Sequence, residues 1–272
     1  MNAWTLTGIG MNAAVLLMAI TWLICRQINN AGYVDVAWSY AFALVVGIFF
    51  ALGAGDPVRK ALIAGMVTIW SLRLGTHLLI RVTKHHPQED ARYAALREQF
   101  PKRVWYMFFG FFQLQAVLVG LLCAPFAAAC ANPSPALHPW EIAGAILWLV
   151  AISGESLADH QLNRFRTNAA NKGKVCDTGL WRYSRHPNYF FEWIIWVAYF
   201  VFSLGTPGAW ITFYVPLLML YFLTKVTGIP PAEAQSLKSR GDAYRAYQRT
   251  TSAFIPWKRK LTVENVKGMK SS

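Results

Sequence analysis

The run from Asp177 to Trp193, D-T-G-L-W-R-Y-S-R-H-P-N-Y-F-F-E-W, gathers more side chains capable of chemistry than any other stretch of this sequence. Pro187 can occupy a first helical turn, where its missing N–H costs nothing, so a helix is expected to start near His186 with its amide dipoles directed at the membrane surface. Such a start attracts anions. Arg182 and Arg185 beside it add fixed charge, and together they would make a phosphate site. The plainer alternative is a pair of arginines flanking an ordinary helix start. Asn188 and Glu192, four residues apart, would point the same way from this helix.

A second polar face precedes it. In G-E-S-L-A-D-H-Q-L-N-R-F-R-T-N, Glu155, Asp159, Asn163 and Arg166 follow one another 4, 4 and 3 residues apart, so they share one side of a helix. They could merely support one another along it. A mixed acidic and basic face is also what holds ribose hydroxyls and phosphates, and Arg164 adds a further cation. Earlier in the chain, Trp70, Arg73, His77 and Arg81 recur at spacings of 3, 4 and 4, a single stripe that does not suit lipid. Asp35 opens another apolar run, with Trp38 one turn on. Asp35 is the nearest acidic candidate to pair with Arg73, and Asp35, Arg73 and His77 are the candidate catalytic residues, with Trp38 and Trp70 beside a substrate.

These residues need elements to hold them, and the composition says which kind. The 272 residues are 55% hydrophobic and 14% charged, against about 25% charged in ordinary soluble domains. Several apolar runs approach the roughly 20 residues that cross a hydrocarbon core. An all-α polytopic fold of about seven transmembrane helices is expected, at roughly 5–25, 33–53, 61–80, 104–129, 140–158, 189–205 and 209–224. No basic residue precedes the first run and no cleavage site follows it, so it is read as a span and not as a secretory signal.

The 26 Lys and Arg residues orient this bundle. Segments 26–32, 81–103, 159–188 and 225–272 hold one, six, six and ten of them, while Arg59 and Lys60 alone fall on the other side and Arg73 lies within a span. Positive charge stays inside, so the N-terminus is expected outside and the C-terminus in the cytoplasm, in what is read as a bacterial inner membrane. The net charge of +13 is explained by this bias and by attraction to anionic lipid, without nucleic acid as a partner. The four cysteines have neither metal nor redox spacing. Cys123 and Cys130 are expected on one helix at roughly 10 Å, too far apart to bridge.

The connections are unequal. Those expected outside, 53–60, 131–139 and 205–208, read as plain turns. Those expected inside, 82–103 and 160–188, are long and polar, as binding loops on a rigid scaffold tend to be. After them comes a helical-looking stretch from Ala232 to Gln248, then S-A-F-I-P-W, whose apolar residues could dock onto the bundle. A single transmembrane domain over 1–257 and a basic, disordered tail over 258–272 are expected. No internal repeat is visible, which weakens a transporter reading.

The strings V-D-V-A-W at 34–38, L-W-R-Y-S-R-H-P-N-Y-F-F-E-W, and G-D-A-Y-R-A-Y-Q-R-T-T-S-A-F-I-P-W resemble the membrane superfamily of steroid 5α-reductases, sterol reductases and isoprenylcysteine methyltransferases. Over residues 30–257 the chain is most similar to its DUF1295 branch. The resemblance implies a helical bundle that holds NADPH in a cytoplasmic cavity without a Rossmann domain, and the chain indeed has no G-x-G-x-x-G. It also implies cofactor contacts at Asp159, Arg166, Tyr183, Asn188 and Glu192, and at Tyr244 and Tyr247, to which the charge argument adds Asn163, Arg164, Arg182, Arg185 and His186. The chain departs from steroid reductases in its second and third spans. There, Asp35 with Trp38 and Trp70 with Arg73 stand in place of a Gln-Glu pair and a Tyr.

The resulting expectation is an NADPH-dependent reductase of an activated, enone-type double bond in a steroid-like or other lipid. Reduction builds negative charge on a substrate oxygen, so a donor must meet it within the bundle, with Asp35 first and His77 second for that role. The alternative is methyl transfer from S-adenosylmethionine to a lipid or prenylated thiol, since R-H-P also occurs in that branch. S-adenosylmethionine has no phosphate and would leave the arginines unanswered. A transporter or lipid-binding scaffold is a third, non-enzymatic reading that intramembrane charges alone would permit.

Overall fold

The computed structural model describes residues 1–260 and, among them, an all-α polytopic membrane protein. Ten helices follow in order: α1 Ala3–Gln27, α2 Tyr33–Leu52, α3 Pro57–His85, α4 Ala91–Gln99, α5 Val104–Leu122, α6 Ala124–Ala131, α7 Pro139–Thr167, α8 Pro187–Ser203, α9 Tyr214–Tyr221 and α10 Ile229–Thr250. Local chemistry sets several starts. Asn2 caps α1, Asp56 caps α3 just before Pro57, and Asp90 caps α4, each through its side-chain oxygen on an early amide.

Six helical runs are long and apolar enough to cross a membrane: Ala3–Gln27, Tyr33–Leu52, Pro57–His85, Val104–Ala131, Pro139–Thr167 and Ala209–Thr250. The helix α8 has 17 residues, at the lower limit of about 17 for a span. The segment expected as a last regular span is irregular. It passes from a 3₁₀ turn, Ala209–Phe213, through α9 to a π turn, Phe222–Val226.

Three further expectations need correction. Cys123 and Cys130 do not share an unbroken helix, because Pro125 stands in the first turn of α6 and α5 ends at Leu122. All four cysteines are free and buried. The polar segment 82–103 is not simply a loop, since it carries α4. The tail is ordered at least to Arg259, which hydrogen-bonds Asp177 at 2.8 Å; residues 261–272 lie outside the described residues.

The residues expected to form one domain group into two compact units, Met1–Ala145 with Tyr199–Thr212, and Ile146–Ala198 with the described part of Phe213–Ser272. The first unit packs α1, α2, α3, α5 and α6 around an aromatic core. Phe42 meets Trp38 at 4.8 Å and Trp70 at 5.2 Å, and Tyr199 meets Phe126 at 4.8 Å, all edge to face. Gly75 lets α3 approach α2: a Cβ there would lie 2.4 Å from the Tyr40 ring. Trp4, Trp140 and Trp210 stand 77%, 50% and 70% exposed, as amphipathic rings at a membrane interface do.

The connections expected as plain turns hold the most enclosed charge in this unit. Arg59, expected outside, is fully buried against Glu141. Its guanidinium also donates to the carbonyls of Asn132, Ser134 and Ala136 at 2.9, 2.7 and 2.7 Å.

In the second unit α7 and α8 pack closely at Gly154, where a Cβ would meet the Phe191 ring at 2.5 Å. The helix α10 turns at Gly241 (φ 50°), a conformation that suits glycine. The chain then returns along α8 as a strap. Arg185 N donates to Ser252 O at 2.8 Å, Ser184 Oγ to Phe254 O at 2.7 Å, and Phe254 packs on Phe190 and Trp193. The expected docking of S-A-F-I-P-W is made by Phe254, while Ile255 and Trp257 stand 57% and 72% exposed.

Candidate functional site

Every residue expected to contact a cofactor falls in the second unit, and every residue expected to act on a substrate falls in the first. The second unit is built around the start of α8, which begins at Pro187 as its sequence predicts. The Asn188 side-chain amide donates to Asp159 Oδ1 at 3.2 Å, joining α8 to α7. That bond fixes the orientation of the amide, and its oxygen, Oδ1, is buried with no hydrogen-bond partner among the described residues. A buried acceptor left unsatisfied costs about 1–3 kcal/mol. Beside a carboxylate, such an acceptor suits a ligand that carries hydroxyl or amide donors. Glu155 and Glu192 are buried on the same two helices, and Glu192 accepts from Trp196 Nε1 at 2.9 Å.

The arginines divide into two kinds. Arg164, Arg166 and Arg182 are exposed and make no ion pair among the described residues. Arg185 is committed to the protein. It donates to Glu233 at 2.7 Å and to the carbonyls of Gln248 and Thr251 at 3.1 and 2.5 Å. His186 also faces Glu233, at 3.4 Å, and stacks on Tyr189. Arg185, expected at a phosphate, is tied by Nε and Nη1 to Glu233 and to the carbonyls at the end of α10. Asn163 is exposed on α7.

The three tyrosines differ. Tyr183 is 46% exposed, and its carbonyl accepts from Trp257 N at 2.9 Å. Tyr247 is buried, and its hydroxyl donates to the carbonyls of Trp181 and Ser184. Tyr244 is buried against Glu233 at 3.5 Å. Tyr244 and Tyr247 thus seat α10, and the cofactor contacts expected of them give way to that role. Cys176 lies nearby, its thiol pushed up by burial against the hydrogen bonds of Thr178.

In the first unit Asp35 finds partners the sequence did not suggest. Arg92 donates to Oδ2 at 2.7 Å and Tyr93 to Oδ1 at 2.8 Å. Both oxygens are thus engaged by α4, which ties Asp35 to that helix. Its observed partner is Arg92 in place of Arg73. Burial works to raise the Asp90 carboxyl, but the hydrogen bonds and charge of Arg92 and the charge of Arg81 outweigh it and hold Asp90 below the ordinary aspartate value. Burial first, and then the Asp35 charge, push the Tyr93 phenol well above its ordinary value.

The stripe on α3 runs from core to surface. Trp70 is fully buried in the aromatic core and Trp38 packs on Phe42, so both are used in packing. Arg73 is half-buried, while His77 and Arg81 are exposed. Among the described residues no group of His, Cys, Asp or Glu could hold a metal ion.

Arg92, Tyr93 and Glu233 escaped sequence reasoning. Asp90 ahead of an Ala-rich stretch was the available sign of a capped helix carrying the first two. Glu233 is the only carboxylate between Glu192 and Asp242, which marks it in a basic tail.

Residues 21–251 match the family described as "Protein of unknown function (DUF1295)". A relative from Schizosaccharomyces pombe, described as an uncharacterized protein, is 27% identical over 220 residues, covering 72% of this chain and 64% of that protein. The chain thus spans just under two thirds of that relative's length. No solved structure matches the chain.

Proposed function

The chain belongs to the DUF1295 family, and we propose that it is a membrane-embedded reductase that uses NADPH to reduce an activated, enone-type double bond in a steroid-like or other lipid. The observation that carries this reading is the buried Asn188 Oδ1, unsatisfied among the described residues, beside Asp159, on a unit that also exposes Arg164, Arg166 and Arg182.

These residues fit the groups of the cofactor. Asp159 accepts hydrogen bonds and Asn188 Oδ1 has room for one, which suits ribose hydroxyls or a carboxamide. The three arginines suit a pyrophosphate and a 2′-phosphate, which S-adenosylmethionine lacks. NADPH, when bound, would supply the hydride. Arg185 and His186 hold α10 and the strap around the start of α8, and so position this surface without contacting the cofactor.

On the first unit, His77 is the candidate to hold a proton for the substrate oxygen and Arg73 the candidate to face the developing charge. Asp35 is a positioning residue that ties α4 to α2. The charge asymmetry favours seven crossings, with 82–103, 160–188 and the C-terminal tail at the cytoplasmic face. Residence in a bacterial inner membrane is proposed for this chain alone, since the relative it matches is from fission yeast.

The test is a binding titration of the purified full chain. NADPH should bind and S-adenosylmethionine should not. The reverse preference would replace this reading with methyl transfer.

A further inference from the structure

The C-terminal end of α1 and the N-terminal end of α5 form a cleft of about 190 Å³, open at its mouth, whose lining includes Trp22, Arg26, Lys102, Arg103, Trp105 and Tyr106. Three of these six are cationic and none is acidic. Close by, Arg92 pairs with Asp35 and Asp90, and Arg97 with Glu89. Arg26, Lys102 and Arg103 are exposed and make no ion pair among the described residues.

The walls are rigid and aromatic. Trp22 donates to Trp105 O at 2.8 Å and packs edge to face on Phe109 at 5.2 Å, while the Arg26 guanidinium lies 5.5 Å from the Trp22 ring. The helix α5 starts at Val104 with no side-chain acceptor on its first amides, so its positive end faces the cleft. Both helices belong to runs able to cross a membrane, and the cleft sits at one end of each, the level of lipid headgroups. Leading away from it along the same helices are exposed apolar side chains, Ile20 and Leu23 on α1 and Phe109 and Leu114 on α5.

We propose that this cleft binds one anionic phospholipid, with its phosphate held by Arg26, Lys102 and Arg103 and its acyl chains along the apolar faces of α1 and α5. Charge selects an anion. The tyrosine and tryptophans suit the glycerol level, and the apolar track below favours a lipid over free phosphate. Basic pockets between transmembrane helices recognise headgroups in this way.

The full chain in neutral detergent is titrated with phosphatidylglycerol, phosphatidylcholine or sodium phosphate, and thermal unfolding and native mass spectrometry are read. Phosphatidylglycerol should raise the unfolding temperature and stay bound as one copy, with little response to the other two. Each cation removed should weaken the lipid by about fivefold, so R26Q/K102Q/R103Q should weaken it by on the order of a hundredfold. K172Q/K174Q, which removes two exposed cations from the other unit, should leave the affinity intact. If the triple variant does not fold, Lys102→Gln alone must still show its fivefold loss. Equal responses to the two lipids, an equal response to sodium phosphate, or a triple variant with unchanged affinity would each overturn the proposal.

Discussion

Arg185 meets Glu233 at 2.7 Å across the start of α8, and His186 reaches the same carboxylate oxygen at 3.4 Å. One carboxylate from α10 thus pairs with Arg185 and also meets the His186 ring at the helix start. With Nε on Glu233 and Nη1 on the carbonyls of Gln248 and Thr251, Arg185 is tied to the end of α10. The positive field at this surface comes instead from Arg164, Arg166 and Arg182.

That division separates two phenotypes. Arg166→Ala or Arg182→Ala should weaken NADPH by ten- to a hundredfold, the loss of a charge-assisted hydrogen bond worth about 1.5–3 kcal/mol. NADH should suffer less wherever the lost arginine holds the 2′-phosphate. Arg185→Ala should instead lower thermal stability, because it strips a buried ion pair and two carbonyl bonds from the strap. Titration with both nucleotides and a melting curve on each variant decide the matter; equal losses for NADPH and NADH remove the 2′-phosphate assignment.

Asn188→Ala is the sharper probe of the α7–α8 contact. It removes the donor to Asp159 and also the buried oxygen that has no partner among the described residues. Relieving an unsatisfied acceptor offsets part of the lost bond, so the melting temperature should move little while NADPH affinity falls by about tenfold. A large drop in stability with unchanged affinity would make Asn188 a structural link only.

The helices were legible because hydropathy and capping agree. Pro187 marks the start of α8, and the apolar runs mark most of the spans. The break at Cys123 was also written in the sequence as Pro125, but apolar continuity masked it. Partners across long separations were not legible. Asp35 and Arg73 sit on neighbouring spans, so proximity suggested that pair. The structure gives Asp35 to Arg92, 57 positions away, on a helix hidden within a polar segment. Glu233 lies 48 positions from Arg185, where no periodicity connects them.

The α4 cluster should respond to acid. Asp90 has its folded value lowered relative to the ordinary 3.8, so the stability it contributes is fully present above that value. It is lost as pH falls below 3.8 through the lowered value. Asp90→Asn keeps a capping oxygen but removes the charge that pairs with Arg92 and Arg81. Proteolysis within 86–103 should therefore be faster in the variant than in the wild type at pH 7. The difference should shrink steadily below pH 3.8, and a difference independent of pH would show that the charge of Asp90 does not hold α4.

Arg59 and Glu141 pose a different question, because a buried ion pair need not stabilise a fold. Removing one partner leaves an uncompensated buried charge, so Arg59→Met and Glu141→Met should each cost about 3–5 kcal/mol. In many proteins replacing both charges with apolar groups restores the loss. Here the guanidinium also satisfies the carbonyls of Asn132, Ser134 and Ala136, and Glu141 accepts from His138 N at 2.8 Å. The double variant R59M/E141M takes these bonds from Ser134 O, Ala136 O and His138 N, while Asn132 O keeps Asp56 N at 2.9 Å. It should stay well below the wild type in thermal unfolding and should be no more stable than the better of the two single variants. A double variant as stable as the wild type would mean that the charges alone matter and that the carbonyls find water.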